Sequence, residues 1–312
     1  MKILITGIHG FVGTNLVSYL KETNLIYGLD IVNPSVDGVI CTFSWDDLES
    51  GNIPEVDAII HLAGKAHDTK NQSAAETYFS VNTGLTQKVF DYFLESKATK
   101  FIFFSTAKAA ADKVEGILTE DVVPAPVGPY GESKIKAEEY ILSRNPVEGK
   151  YFYILRPCMI HGPGNKGNLN LLYNIVRKGI PWPLGAFDNL RTFTSVENIC
   201  YVVNGILTKD IQSGIYNMGD DAPVSTNELI TLICRTLGND VRIWKLPKSF
   251  IRICAKLGSW LHLPLNQERL YKLTENYVSS NQKIKKALDI EKMPVDARSG
   301  LQKSIKAMML EM

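Results

Sequence analysis

Long apolar runs, paired cysteines and a strong net charge are all missing from this sequence of 312 residues. No apolar run approaches the roughly 20 residues of a membrane span, and the first residues enter a strand pattern without a signal-peptide layout. We therefore expect a cytoplasmic protein. The five cysteines are odd in number and include no C-x-x-C pair, and the five histidines lie far apart. These patterns argue against a disulfide framework and against a metal site.

The near-neutral net charge of +1 hides two halves of opposite sign. Residues 1–160 carry 14 basic and 20 acidic side chains, whereas residues 161–312 carry 20 and 13. Most of the basic excess lies in residues 235–306, which hold 15 Lys or Arg against 6 acidic residues. These basic residues are not interleaved with aromatic residues in a recognisable nucleic-acid motif, so nucleic acid is not an expected partner.

Short apolar segments alternate with helical patterns through the first half of the chain. Strands are predicted at 2–6, 25–31, 57–63, 100–105 and 152–156, and helices at about 82–96 and 130–143. Such alternation predicts an α/β fold, a Rossmann-type doubly wound parallel sheet with helices on both faces. Glycine and proline punctuate the chain after residue 160, which indicates a smaller C-terminal α+β lobe. We expect domains at 1–160, rejoined by part of 190–216, and at 161–312.

A glycine-rich turn follows the first predicted strand. Gly7 permits a tight turn, Gly10 lets the backbone approach a pyrophosphate, and Gly13 allows close packing of helix on strand. Asp30 ends the second strand, where a carboxylate can accept hydrogen bonds from ribose hydroxyls and would repel a 2′-phosphate. The turn therefore predicts NAD binding, with NADP less favoured. The alternative is a packing turn with an unrelated surface aspartate.

A tyrosine and a lysine share one face of the helix predicted near 130–143. Tyr130 and Lys134 are four residues apart, and Thr106 ends the strand predicted at 100–105. A lysine ammonium beside the phenol, helped by a positive nicotinamide ring, should bring the pKa of Tyr130 down towards useful acid/base range. The Thr106 hydroxyl could hold a substrate oxygen beside it. Alone, a Y-x-x-x-K pattern usually marks a solvated helix face. Beside the glycine turn, it predicts a hydride-transfer site.

These motifs resemble those of the extended short-chain dehydrogenase/reductases that act on nucleotide sugars, the NAD-dependent epimerase/dehydratase family. T-G-I-H-G-F-V-G at 6–13, H-L-A-G at 61–64, V-N-T-G at 81–84 and L-R-P-C-M-I-H-G-P-G at 155–164 carry the resemblance. It implies a UDP-sugar substrate, a homodimer through the two helices predicted above, and Thr106, Tyr130 and Lys134 as the catalytic trio. The implied NAD contacts are Gly7, Gly10, Phe11, Val12, Gly13, Asp30, Leu62, Ala63, Gly64, Asn82, Tyr130, Lys134 and Pro157.

The resemblance also places substrate contacts in the second half of the chain. Arg191 matches a family arginine on the substrate diphosphate, a role that suits a planar guanidinium. Asn168 matches a position near the same diphosphate. Lys108 could meet the N-acetyl or phosphate region, or could be an ordinary solvated lysine. Residues 161–312 would thus form the nucleotide-sugar-binding lobe.

Three reactions share this trio, and neighbouring residues separate them in part. In the 4,6-dehydratases an Asp-Glu pair follows the threonine, whereas this chain has Ala107 and Lys108 there. This difference argues against a dehydratase. In galactose epimerases an Asn that contacts the nucleotide sugar stands where this chain has Met159, which argues against ordinary galactose epimerisation. Pro157 and the segment 105–108 resemble the NADH-dependent reductases that make UDP-N-acetylquinovosamine or UDP-N-acetylfucosamine for surface polysaccharides. A reductase of a UDP-4-keto-6-deoxy-N-acetylhexosamine is therefore favoured, with a UDP-glucose or UDP-N-acetylhexosamine 4-epimerase as the alternative.

Two further features bear on this prediction. The third strand of the family usually ends in an Asp that meets the adenine, whereas this chain has Thr42 and Phe43, so NAD should be held less tightly than in epimerases with a resident cofactor. A catalytically silent, dinucleotide-sensing scaffold is a different class of function. The intact trio of threonine, tyrosine and lysine argues against that scaffold.

A cationic segment lies near the C-terminus, outside these motifs. Lys248, Arg252 and Lys256 recur every four residues in K-S-F-I-R-I-C-A-K-L-G-S-W-L-H-L, and apolar residues fill most other positions. This pattern is typical of a lobe helix with a solvated basic edge. A dimer contact or a peripheral membrane contact is the alternative.

Overall fold

The computed structural model describes residues 1–66, 74–144, 148–165, 168–261 and 266–310. The strands are β1 (Lys2–Thr6), β2 (Leu25–Leu29), β3 (Val39–Phe43), β4 (Ala58–His61), β5 (Lys100–Phe104), β6 (Ile117–Leu118), β7 (Tyr151–Pro157), β8 (Met159–His161), β9 (Leu190–Arg191), β10 (Phe193–Ser195), β11 (Gly214–Met218), β12 (Val224–Ser225) and β13 (Val278–Ser279). The helices are α1 (Phe11–Leu20), α2 (Trp45–Glu49), α3 (Ala75–Tyr78), α4 (Leu85–Glu95), α5 (Ala107–Ala110), α6 (Pro129–Ser143), α7 (Asn168–Arg177), α8 (Val196–Thr208), α9 (Thr226–Thr236), α10 (Lys248–Trp260), α11 (Gln267–Thr274), α12 (Gln282–Leu288) and α13 (Ala297–Leu310). A π-helical segment, Phe79–Gly84, joins α3 to α4.

The main sheet of the described chain has seven strands in the order β11-β7-β5-β4-β1-β2-β3, and all its neighbours are parallel. Each strand predicted from the sequence is present, and the predicted Rossmann-type α/β fold is confirmed. The edge strand β11 comes from the chain beyond residue 160.

The strand order places one edge of this sheet where ligands bind. From β1 the chain moves outward to β2 and β3, and it then returns to the other side of β1 to form β4 and β5. Open α/β sheets bind ligands at such a reversal, outside the carboxyl ends of the strands. The glycine turn follows β1, and residues 62–64 follow β4, so both meet at this point.

Alternation of buried side chains lets the sheet pack helices on both faces. Ile3 and Ile5 of β1 pack with residues of α1 and α8 on one face. Leu4 and Phe101 pack with residues of α4 and α6 on the other. The helices predicted at 82–96 and 130–143 are α4 and α6, although residues 82–84 belong to the π-helical segment.

A separate hydrophobic core holds the C-terminal lobe together. It joins buried side chains of α7, α9, α10, α11 and α13, and it includes Trp182 and Leu184 from the preceding segment. None of the helices in the described ranges is long and apolar enough to cross a membrane. The same ranges contain no cluster of three or more His, Cys, Asp or Glu residues arranged to hold a metal ion.

A buried ion pair fixes α6 on the sheet. Arg156 of β7 donates from Nε to the Glu138 carboxylate of α6 at 3.0 and 3.1 Å, and from Nη2 at 2.5 Å. The Ser105 hydroxyl, just after β5, also donates to Glu138. Only 1% of the Arg156 side chain and none of the Glu138 side chain are exposed. Because both charges are fully desolvated, each depends on the other for compensation.

Removal of the Glu138 carboxylate should strongly destabilise the fold. In Glu138→Ala, the Arg156 guanidinium stays buried without a counter-charge, so we expect a loss of about 3–5 kcal/mol in the free energy of unfolding, measured by urea denaturation. The matched control is Glu139→Ala, whose side chain is exposed on the same helix. The control should change stability by no more than about 0.5 kcal/mol. Equal effects of the two variants would contradict the importance of the ion pair.

Candidate active site

The glycine turn is closely packed against the neighbouring strand. Gly7 has φ of 68°, and a Cβ at this position would lie 2.8 Å from the backbone nitrogen of Ala63. At Gly13 a Cβ would lie 2.3 Å from the Ile8 carbonyl oxygen. Neither position can carry a side chain without moving backbone. Gly10 is the N-cap of α1, and no side chain caps that helix, so the N–H groups of its first turn are open to water or to a bound anion.

Asp30 lies against the glycine turn. Its half-buried carboxylate accepts hydrogen bonds from the backbone N–H of His9 at 3.1 Å and of Ile31 at 2.7 Å. The His9 ring in turn lies 3.1 Å from the Thr42 hydroxyl, measured from Nε2 to Oγ1. The structure thus places Asp30, the predicted ribose acceptor, at the glycine turn. Thr42, which stands where the family has its adenine-binding acid, contacts the ring of His9.

Backbone contacts place the other predicted cofactor residues around this turn. The N–H groups of Leu62 and Ala63 donate to Thr6, to its carbonyl and its hydroxyl respectively, each at 3.1 Å. Phe11 and Val12, both half-buried, begin α1, and the Phe11 ring approaches the loop at Gly162 from the second half of the chain. Pro157 is buried at the end of β7, away from the glycine turn in the strand order.

Asn82 ties three segments together. Its Oδ1 accepts from the backbone N–H of Lys65 at 2.7 Å, and its Nδ2 donates to the Lys65 carbonyl at 3.1 Å and to the Ser133 hydroxyl at 2.9 Å. The π-helical segment is therefore fastened both to the chain after β4 and to α6. A Cβ at Gly64 would lie 3.0 Å from Asn82 Oδ1 and 3.1 Å from Lys134 Nζ, so these groups converge beside the site.

Tyr130 and Thr106 meet because α5 and α6 are in close contact. A Cβ at Gly131 would lie 2.8 Å from the Lys108 carbonyl oxygen, so only glycine permits this approach. The Thr106 hydroxyl hydrogen-bonds to the Tyr130 side chain and also caps α5, accepting from the Lys108 N–H at 3.3 Å. Tyr130 is half-buried, and its ring lies edge-on to that of Tyr78 at 6.4 Å.

Burial dominates the ionisation of both candidate catalytic residues. It lowers the pKa of Lys134 from 10.5 to about 8, although the Glu138 carboxylate opposes the shift. It raises the pKa of Tyr130, and the hydrogen bond from Thr106 opposes that change only in part. The lowering of the Tyr130 pKa expected from Lys134 together with a positive nicotinamide ring stays a prediction, since the upward shift arises from the protein groups alone. The Lys134 ammonium donates to the Phe104 carbonyl oxygen at 2.8 Å, and desolvation of the phenolate prevails.

The two predicted substrate cations converge on one carboxylate that sequence reasoning missed. Arg191 donates from Nη2 to Glu275 at 2.6 Å, and Lys108 Nζ lies 3.7 Å from the same Oε1 atom. Lys108 also donates to Asp112 and lies 4.6 Å from the centre of the Tyr277 ring. Lys108 is therefore no free solvated lysine. Only 7% of the Glu275 side chain is exposed, so its charge is compensated mainly by these two cations.

No local sequence pattern predicts the pairing of Glu275 with Arg191, since the two residues are 84 positions apart along the chain. Burial lowers the pKa of Arg191 and Glu275 opposes that shift, as expected for a guanidinium held inside the lobe. Asn168 is the first residue of α7, but its side chain lies outside the described residues.

Together these groups fit a dinucleotide. A close-packed glycine turn and an uncapped helix start suit a pyrophosphate, and Asp30 supplies an acceptor for ribose hydroxyls. Tyr130 and Lys134 lie on α6 beside the end of β5, where Lys134 donates to the Phe104 carbonyl. A nicotinamide and a substrate would have to meet there. The groups present can exchange a proton with a substrate oxygen but include no hydride donor of their own.

Comparisons with known proteins agree with this geometry. The model of the NAD dependent epimerase/dehydratase family matches residues 3–219. A UDP-glucose 4-epimerase of Vibrio cholerae is 31% identical over 264 residues, which cover 79% of this chain and 78% of that protein. An N-acetyl-alpha-D-glucosaminyl-diphospho-ditrans,octacis-undecaprenol 4-epimerase of Escherichia coli O157:H7 is 26% identical over 255 residues, 79% of this chain and 75% of its own.

A solved structure extends the likeness to the whole fold. UDP-glucuronic acid 4-epimerase from Bacillus cereus in complex with NAD superposes with a TM-score of 0.77 at 20% identity, covering 100% of this chain and 99% of its own. The family match spans the glycine turn, Asp30 and the segment that holds Thr106, Tyr130 and Lys134. The chain therefore belongs to the NAD-dependent epimerase/dehydratase family, as an enzyme that uses NAD.

Proposed function

We propose that this enzyme moves a hydride at C4 of a diphosphate-linked sugar. One observation carries the proposal: the Tyr130 side chain is hydrogen-bonded to Thr106 at the carboxyl edge of the sheet, with Lys134 one helical turn away. NAD supplies or accepts the hydride when it is bound.

In this proposal Tyr130 exchanges the proton of the sugar's C4 oxygen. A phenol is protonated at neutral pH, which is the form that donates a proton during reduction of a ketone, and burial of Tyr130 favours the same form by raising its pKa. Thr106 holds the same oxygen and orients the phenol. The Lys134 ammonium stabilises the phenolate that remains after the transfer, an effect strengthened by the low dielectric of the buried site.

The favoured form of this reaction is reduction of a UDP-4-keto-6-deoxy-N-acetylhexosamine by NADH. Thr42, which replaces the adenine-binding acid, is tied to the His9 ring and offers no carboxylate. A weaker hold on NAD suits an enzyme that must exchange its cofactor at each turnover. Met159, in place of the epimerase asparagine, supports the same assignment.

A 4-epimerase is the second candidate, and the relatives support it. Both the Vibrio cholerae and the Escherichia coli proteins are 4-epimerases of diphosphate-linked sugars. An epimerase would use the same tyrosine, lysine and threonine in both directions, with NAD retained. We further propose that Arg191, Lys108 and Asn168 contact the substrate diphosphate.

The remaining proposals concern the organisation of the protein. We propose that residues 1–160, with part of 190–216, bind NAD, and that residues 161–312 hold the nucleotide sugar. A homodimer would form through α4 and α6. The enzyme would act in the cytoplasm, in the synthesis of a surface polysaccharide.

Product analysis separates the two reactions. We expect the pure protein to convert a UDP-4-keto-6-deoxy-N-acetylhexosamine with one equivalent of NADH oxidised per product, followed by absorbance and NMR. UDP-N-acetylglucosamine or UDP-glucose without NADH should remain unchanged. Rapid formation of the C4 epimer from either sugar would instead establish the epimerase.

The role of Tyr130 is tested in the same assay. Tyr130→Phe removes the exchangeable proton, so we expect turnover to fall by about 10²-fold or more while NAD still binds. NAD binding without turnover of any sugar in the wild-type protein would point to the silent scaffold and would overturn the proposal. Turnover preserved in Tyr130→Phe would overturn only the role of this residue.

Burial of Lys134 predicts a dependence of stability on pH. Below pH 8 the lysine is charged in both the folded and the unfolded protein, so the desolvation of its ammonium lowers the free energy of unfolding by its full amount. Between pH 8 and 10.5 the unfolded lysine holds a proton that the folded one has lost, so stability rises with pH. Relative to Lys134→Met, the wild-type free energy of unfolding should gain about 3 kcal/mol from pH 7 to pH 10.5. A difference that stays constant with pH would contradict this burial.

Glu275 should oppose binding of a diphosphate to Arg191 and Lys108. Glu275→Gln removes the negative charge but keeps the shape, so we expect UDP to bind about tenfold more tightly in calorimetry. The control is Glu268→Gln, an exposed glutamate paired with Lys272 that should leave UDP affinity unchanged. Weaker binding to Glu275→Gln would show instead that the carboxylate is needed to orient Arg191.

A further inference from the structure

Helix α10 presents three different faces. One face packs into the core of the lobe through Ile251, Ala255 and Gly258. A second, exposed face is cationic and consists of Lys248, Arg252 and Lys256. The third face is apolar and exposed, and it consists of Phe250, Ile253, Leu257 and Trp260. We call these four residues the α10 apolar stripe.

The α10 apolar stripe is unusually open for side chains of this kind. The exposed fractions are 53% for Phe250, 59% for Ile253, 54% for Leu257 and 76% for Trp260. Their spacing of three and four residues aligns them along one side of the helix. Exposed apolar residues scattered singly are normal, but a contiguous row of four implies a contact that covers it.

All the charged residues in the segment that carries the stripe are basic. Residues 241–267 contain five Lys or Arg and no Asp or Glu. Trp244, exposed just before the helix, stands next to Lys245 and extends the same mixture of aromatic and basic groups. In the neighbouring α11, Glu268 is already paired with Lys272, so it does not neutralise the cations of α10.

We propose that α10 docks the enzyme on the surface of an anionic lipid bilayer. The apolar stripe would enter the boundary between headgroups and acyl chains, and the adjacent cations would remain at the level of the lipid phosphates. The helix would lie along the surface, since its face with Ile251, Ala255 and Gly258 stays packed in the lobe core. This inference concerns a surface outside the candidate active site, and it holds whichever C4 reaction the enzyme performs.

A second copy of the chain is a poorer occupant of this surface. Pairing two α10 helices would bring the three cations of one copy, Lys248, Arg252 and Lys256, close to the same three of the other, with no acid in α10 to offset the repulsion. An anionic bilayer instead supplies both an apolar layer and the opposite charge. The apolar stripe therefore matches the acyl chains of such a bilayer, and the adjacent cations match its anionic headgroups.

Flotation with lipid vesicles tests the proposal. We expect the full chain to float with vesicles of phosphatidylcholine and phosphatidylglycerol at low salt, and to stay unbound with phosphatidylcholine alone. Arg252→Glu with Lys256→Glu should reduce binding by about tenfold or more, because two attractive charges become repulsive. Ile253→Ser with Leu257→Ser should also release the protein, because half of the apolar stripe is lost.

Matched controls separate docking from general charge and from misfolding. Lys286→Glu with Lys306→Glu makes the same charge change at exposed positions of α12 and α13, and it should leave vesicle binding nearly unchanged. Circular dichroism and NAD binding verify that each variant is folded. Absence of binding to anionic vesicles, or equal losses in the α10 and control variants, would overturn the proposal. Self-association that Ile253→Ser with Leu257→Ser abolishes, without vesicle binding, would assign the stripe to a second copy and would also overturn it.

Discussion

The buried ion pair between Glu138 and Arg156 is the contact on which the geometry of the candidate site depends. Tyr130, Lys134 and Glu138 follow one another at intervals of four along α6, so they share the face of the helix that meets the sheet. The pair clamps the third of these residues to β7, and Ser105 adds a bond from the end of β5. Once this residue is fixed, rotation and sliding of α6 are prevented. The tyrosine and lysine are therefore held relative to the strand ends.

Close backbone approaches complete this rigid arrangement. Gly7 and Gly13 bring the turn after β1 against the end of β4 and the start of α1, and Gly131 brings α6 against α5. Asn82 then fastens the π-helical segment to both sides. The glycine contacts bring backbone directly against backbone, and Asn82 is fully hydrogen-bonded. The segments around the site are therefore held together and cannot move separately. Such preorganisation suits a reaction in which two small groups must be aligned.

The sequence predicted the features that depend on local spacing. The strand before the glycine turn, the interval between Tyr130 and Lys134, and the parallel sheet all follow from patterns within one or two elements, and the structure contains them. The burial that raises the pKa of Tyr130 in the protein alone has no local sequence pattern, because it results from the packing of several elements. Glu275 was missed because its partner Arg191 belongs to a distant segment of the lobe.

In the proposed substrate site, the carboxylate of Glu275 would also determine which anions can enter. Arg191 and Lys108 already have a counter-ion in Glu275, so the two cations present little uncompensated positive charge to solution. A small anion such as inorganic phosphate would have to displace a tethered carboxylate with nothing else to gain. A larger ligand that also fills the lobe can offset that displacement with its other contacts. An internal anion of this kind would select ligands by their size and not by their charge alone.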